Sequence, residues 1–306
     1  MSTPIAIAAA LAAALVLGIS AVADRRSTKQ VKTRKAMSLR LIVDLMHRPL
    51  WLIAIAANLV GFALQVTALN FGSLALVEPL LVCNLIFAVL ISRLVGWEKY
   101  GPPGARRWDP AMLAGVAATT AGIAGFLAIG RPSAGTTDVG IYVLFVLAGA
   151  LIVVVGGSLR VARRMPNRRP FALAVASGAS FGISAFSIKL VTAEFGGGLA
   201  AVFGNWPIYV VAVAGPLGFL FHQNALQMGT FLARVQAIIT TTDPILSIGL
   251  SILLLDVRLR GGAAAITFEV VSLLVMVAGV VVIARHSPQA KSEASPAQTV
   301  EQTAAQ

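Results

Sequence analysis

The chain has 306 residues, 58% hydrophobic and only 12% charged, with a positive mean hydropathy. A soluble domain of this size cannot hide so much apolar surface, so that class is excluded. The formal net charge of +12 sits in short clusters beside apolar runs, which argues for a membrane orientation signal and against a nucleic-acid partner.

A helix needs about 20 apolar residues to cross roughly 30 Å of hydrocarbon. Nine segments qualify, near 4–23, 50–69, 73–95, 110–130, 140–160, 170–192, 201–222, 230–255 and 263–284. They predict an all-α integral membrane protein of about nine transmembrane helices. The first segment has no basic leader, so it is expected to be a retained helix. Loop 24–49 follows, with Arg25, Arg26, Lys29, Lys32, Arg34, Lys35, Arg40 and Arg48. Within it Leu39, Ile42, Val43 and Met46 fall at helical spacing, which predicts a short helix lying along the interface. Its charge suits anionic lipid headgroups as partners.

The third span holds Cys83, the single cysteine, which excludes an internal disulfide. Loop 96–109 carries Lys99, Arg106 and Arg107 around the turn Gly101-Pro102-Pro103-Gly104, with Trp97 and Trp108 as interfacial anchors. Loop 161–169 adds Arg163, Arg164, Arg168 and Arg169. With nine spans, all three basic loops and the tail with Arg285 and Lys291 fall on one side. That side is expected to be cytoplasmic, which puts the amino terminus outside a plasma (inner) membrane and the carboxyl terminus inside. Residues 287–306 lack apolar periodicity and are expected to be a disordered tail.

The chain repeats itself. Residues 61–73 read GFALQVTALNFGS and residues 218–230 read GFLFHQNALQMGT, at an offset of 157 that also carries Ala121-Gly122-Ile123 onto Ala278-Gly279-Val280. Gly18-Ile19-Ser20-Ala21 reappears as Gly182-Ile183-Ser184-Ala185. Residues 1–139 form a first membrane repeat of four spans, 140–162 a linking span, and 163–286 a second repeat of four spans. An odd number of spans separates equivalent helices, so the two repeats are expected to insert upside down relative to each other. Secondary transporters use that architecture, with a substrate site near the midplane where the repeats meet.

These residues resemble the drug/metabolite transporter superfamily, EamA-like members in particular. The resemblance covers roughly residues 1–285 and rests on A-L-x-x-G-[ST], a proline in the next helix and an acidic residue at its far end. In the first repeat the run is Ala68-Leu69-x-x-Gly72-Ser73, Pro79 and Glu98. In the second it is Ala225-Leu226-x-x-Gly229-Thr230, Pro244 and Asp256. One helix followed by a basic loop, and Leu76-Val77-Glu78-Pro79-Leu80, are similar to the magnesium-transporting NIPA-type branch. Glu78 replaces a small polar residue usual there, and Phe62 stands where that branch has an acid. The resemblance implies a small-solute transporter, or alternatively a magnesium or divalent-cation carrier.

Polar groups inside apolar spans are costly unless they face protein or water, which makes them the candidates for chemistry. In the eighth span Gln236, Thr240, Asp243, Ser247 and Ser251 share one helical face. Pro244 removes a backbone donor beside Asp243 and predicts a local break. That arrangement suits a proton or cation coupling site, with a kinked helix and a protonated Asp243 as the bland alternative. Glu78 and Glu269 enter from the same side, and with Asp243 they form either one acidic patch or separate groups, for example paired with Lys189. As a divalent-cation carrier, the chain would take its oxygen ligands from these three.

Ser177, Ser180, Ser184 and Ser187 form a polar face on the sixth span beside Gly178 and Gly182, where either cavity lining or packing fits the serines and packing fits the glycines. Asn58 and Gln65 share a face of the second span. Arg234 points away from Asp243 on an unbroken helix, so it is expected to snorkel or to meet an anionic substrate. His222 reads as a hydrogen-bonded helix-end residue. No nucleotide-binding, zinc-hydrolase or nucleophile-elbow motif occurs, so neither an enzyme nor a cofactor is expected. A third reading, outside transport, is a membrane scaffold that holds lipid through loop 24–49.

Overall fold

The protein, seen in a computed structural model, is described over residues 3–29, 49–94, 110–130, 136–227, 232–255 and 263–286. The interfacial segment around 39–46, loop 96–109 with its tryptophans, Gly229, Thr230, Asp256 and the tail lie outside the described residues. All regular structure among the described residues is helical: α1 (Thr3–Lys29), α2 (Pro49–Phe71), α3 (Leu74–Leu81), α4 (Cys83–Leu94), α5 (Pro110–Gly130), α6 (Tyr142–Arg164), α7 (Arg169–Ala193), α8 (Gly198–Gly204), α9 (Pro207–Gln227), α10 (Leu232–Leu254) and α11 (Ala263–His286). Eight stretches are long and apolar enough to cross a membrane, counting α3 and α4 as one. The fourth expected span, α5, carries a shorter apolar stretch, Leu113–Ala128.

Most expected boundaries hold to within a few residues. The seventh is displaced: 201–204 belongs to α8, Asn205 is extended, and the long helix begins at Pro207. Proline at a first helical position loses no bond it would otherwise make, so the helix starts there. α1 runs on to Lys29, six residues past the apolar stretch ending at Ala23.

The break expected at Pro244 does not occur. Helix α10 continues through Pro244 without interruption. Hydroxyls beside it bond within the helix, Thr241 Oγ1 donating to Ala237 O at 2.8 Å and Ser247 Oγ to Pro244 O at 3.3 Å. The third span breaks instead, just after Pro79, at a turn where Val82 N bonds to Pro79 O at 3.2 Å.

The core is built from α7, whose face is buried almost without interruption from Leu173 to Thr192. It packs against α2, α6, α9 and α10, while α1 packs against α2, α3 and α4, and α5 against α11. Glycine permits the closest approaches. A Cβ on Gly122 would stand 2.5 Å from Met276 N, and one on Gly279 2.5 Å from Thr119 N. Gly115 in turn faces Gly279 and Ile283, so contacts move down α11 as they move up α5 and the two helices run antiparallel. Lipid offers no hydrophobic drive between helices, so such backbone-to-backbone van der Waals contact is a main source of cohesion.

The repeated glycines pack alike in both halves. In the first, Gly61 of α2 meets Leu17 of α1, with a Cβ only 2.7 Å from Leu17 Cδ2. In the second, Gly218 of α9 meets Phe181 of α7 at 2.8 Å. Each pair is antiparallel and carries a serine-to-carbonyl bond of 2.9 Å, Ser20 Oγ to Ala54 O in one and Ser177 Oγ to Gly218 O in the other.

Candidate functional site: a carboxyl pair between the halves

Helix α3, which carries Glu78, packs on α10, which carries Asp243. Glu78 is 2% exposed, and Gln65 Nε2 donates to its Oε1 at 3.4 Å. Asp243 lies within electrostatic reach of Glu78. Its Oδ1 is buried and accepts no hydrogen bond among the described residues. An acceptor left so is costly, since removal from water is not offset. Two acids sharing such a place favour a bound proton or another cation between them.

Asp243 is brought here by the polar face of α10. Ser247 and Ser251 are fully buried on it, Thr240 nearly so, and both serines bond to carbonyls of their own helix. Gln236 begins the face and forms a second polar pair: His222 Nε2 lies 3.2 Å from Gln236 Oε1, and Gln236 Nε2 donates to Thr240 Oγ1 at 3.4 Å. The shared contact has the ring nitrogen as donor, because the amide oxygen only accepts. His222 also stands edge-on to Phe181, the ring centroids 6.2 Å apart. The hydrogen-bonded histidine expected near the end of that helix is thus found, joined to the polar face of α10.

The remaining candidates fall elsewhere. Glu269 is buried on α11, which packs against α5, and neither of its oxygens has a hydrogen-bond partner among the described residues. No three His, Cys, Asp or Glu side chains gather as a metal cluster among the described residues. Glu78 and Asp243 lie on the packed pair α3 and α10, and Glu269 lies on α11, which packs against both α5 and α10. Lys189 pairs with neither: its Nζ donates to Leu69 O at 2.7 Å and Gly72 O at 2.8 Å.

Ser180 and Ser187 bond to carbonyls one turn back in α7, and Ser177 reaches α9. Ser184 is buried 3.5 Å from where a Cβ on Gly215 would lie. Gly178 and Gly182 seat α7 against α10, as packing predicts. Asn58 is half-buried on α2, and Arg234 is exposed at the start of α10. Two cavities of about 320 Å³ are described: an apolar one lined by residues such as Val154, Ala179 and Ile245, and a polar one bounded by Asp138, Glu194 and Asn205. Neither contains Glu78 or Asp243.

No family model matches the chain, and neither does a solved structure. A Corynebacterium glutamicum protein described as uncharacterized is 26% identical over 293 residues, 94% of this chain and 96% of that protein. The chain is, in sum, similar end to end to another protein of its length, and its own helices make it a membrane-spanning helical bundle.

Proposed function

We propose that the protein is a secondary, alternating-access transporter of the drug/metabolite superfamily that moves a small solute across the plasma membrane, with Asp243 carrying the coupling proton or ion. The single observation behind this is the Glu78–Asp243 pair. The two acids, one from each half, lie within electrostatic reach of each other, and Asp243 Oδ1 has no donor among the described residues. A purely structural bundle gains nothing from that arrangement, whereas a carrier uses it to bind and release a cation. Inverted repeats also belong to this reading. Support comes from the antiparallel α5–α11 contact, in which repeat-equivalent Gly122 and Gly279 each press on the partner helix, and from the matched Gly61–Leu17 and Gly218–Phe181 contacts. The amino terminus is outside and the carboxyl terminus inside.

A screen of a deletion strain across metals, amino acids and toxic compounds identifies the solute. Flux of that solute in proteoliposomes should then be lost, or uncoupled from the ion gradient, in Asp243→Asn. Wild-type coupled flux in that variant refutes the assigned role.

The magnesium-carrier alternative keeps one favourable observation, the oxygen-only chemistry of the Glu78–Asp243 pair with Gln65 beside it. Glu269 lies outside that group. Magnesium-dependent growth of a strain stripped of its own carriers separates this reading from the first.

A further inference from the structure

Asn84 of α4 has no role in the site described above, yet it holds in the first half the place that Asp243 holds in the second. A Cβ on Gly18 of α1 would lie 3.0 Å from Asn84 O, 2.9 Å from Phe87 Cβ and 3.1 Å from Ala88 N. A Cβ on Gly182 of α7 would lie 2.8 Å from Asp243 O, 3.3 Å from Leu246 Cβ and 3.4 Å from Ser247 N. In both halves the glycine of Gly-Ile-Ser-Ala is received by one carbonyl, the Cβ three residues on and the amide nitrogen four residues on. This seat is made of backbone and Cβ atoms, so it reports helix register independently of which side chains are present.

The polar pairs keep nearly the same register. Gln65 and His222 occupy the same place in the repeated block, and each reaches across to the following span, to Glu78 at 3.4 Å and to Gln236 at 3.2 Å. Matching the halves by their prolines would pair Pro79 with Pro244 and leave Asn84 without a counterpart. Matching them by contact pairs Asn84 with Asp243, and brings Glu78 to within one residue of Gln236. Each half then supplies one carboxyl and one amide, at nearly exchanged positions.

We propose that Asn84 lines the transport path as the uncharged counterpart of Asp243, adding an amide to the carboxyls of Glu78 and Asp243. An amide has nearly the shape of a carboxyl but both donates and accepts, so it holds a polar solute without fixing its charge. The solute class that suits the carboxyls and the amide together is a small organic cation bearing hydrogen-bonding groups. The proposal rests on the transporter reading above.

The test is cysteine accessibility in the full-length protein in lipid vesicles, in a Cys83→Ala background. The probe is a positively charged, water-soluble methanethiosulfonate. Thiolates attack the sulfenyl sulfur of such reagents and expel methanesulfinate; they form only where water reaches, so path-lining positions should react about tenfold or more faster than lipid-facing ones. Asn84→Cys and Asp243→Cys should both react, and Leu90→Cys, exposed on the outer face of α4, should not. If Asp243→Cys reacts and Asn84→Cys is as inert as Leu90→Cys, the proposal is overturned and the transporter reading survives. If Asp243→Cys is also inert, both fall.

A second variant guards against a disturbed fold. Dicyclohexylcarbodiimide, which modifies carboxyls buried in membranes, should label wild type at Asp243. In Asn84→Asp/Asp243→Asn the adduct should move to position 84 with a yield within about twofold, because the two seats are alike. No adduct at position 84 in a folded protein would also overturn the proposal.

Discussion

Lys189 of α7 donates to the carbonyls of Leu69 and Gly72, at 2.7 and 2.8 Å, and so ties the second half of the chain to the turn between α2 and α3. The last carbonyls of a helix have no donor of their own, and the dipole there favours a cation. A buried ammonium supplies both. The Ala68-Leu69-x-x-Gly72-Ser73 run is therefore more than punctuation, since its carbonyls are the acceptors.

Lys189→Met should destabilise the folded bundle by about 2–3 kcal/mol, the usual worth of hydrogen bonds to a charged donor. Thermal unfolding in detergent measures it. An unchanged midpoint would mean that lipid or water replaces the ammonium at no cost.

The α5–α11 contact makes a sharper comparison. Gly122→Ala and Gly279→Ala force a methyl into backbone atoms 2.5 Å away, so each should cost about 1–3 kcal/mol. Gly157→Ala in α6 is the control, with no atom within 4 Å of the new Cβ. It should be neutral or stabilise by up to about 1 kcal/mol, because alanine favours helix. Unfolding midpoints of the three variants decide the matter, and equal shifts would contradict the contact described.

Glu78→Gln and Asp243→Asn should each relieve the crowding of two acids and raise thermal stability, by about 1 kcal/mol, while coupled flux is lost. Stability and transport moving together in the same direction would argue that the pair is structural.

Tags placed before Thr3 and after His286 should report opposite faces of the bilayer when tested with a membrane-impermeant protease. The same face for both would remove one crossing and, with it, the upside-down relation of the halves.

Much was legible in the chain. Apolar runs of span length located the helices, because an unpaired backbone in lipid has no alternative to the helix. Asp243 stood out since a charge in such a run is expensive, and the spacing of Gln236, Thr240, Ser247 and Ser251 placed it on a polar face that α10 indeed carries. The glycines that recur between the halves were visible as repeats, and their reason is now physical: a Cβ at Gly18, Gly61, Gly122 or their counterparts would collide with the neighbouring helix.

Other features depended on contacts between residues far apart in the chain. Lys189 had acids as plausible partners, and it chose carbonyls 120 and 117 residues away. Pro244 looked like a break, but α10 passes through it, whereas the third span turns at Val82. Glu269 shared a side and depth with Glu78 yet lies on α11, whose main packing partner is α5. Asn84 carried no periodic signal, since no second amide shares its span as Gln65 does that of Asn58. Periodicity follows from the chain's own covalent geometry and can be read along it. Which helix meets which, and in what register, is settled by packing between distant segments, which no local pattern encodes.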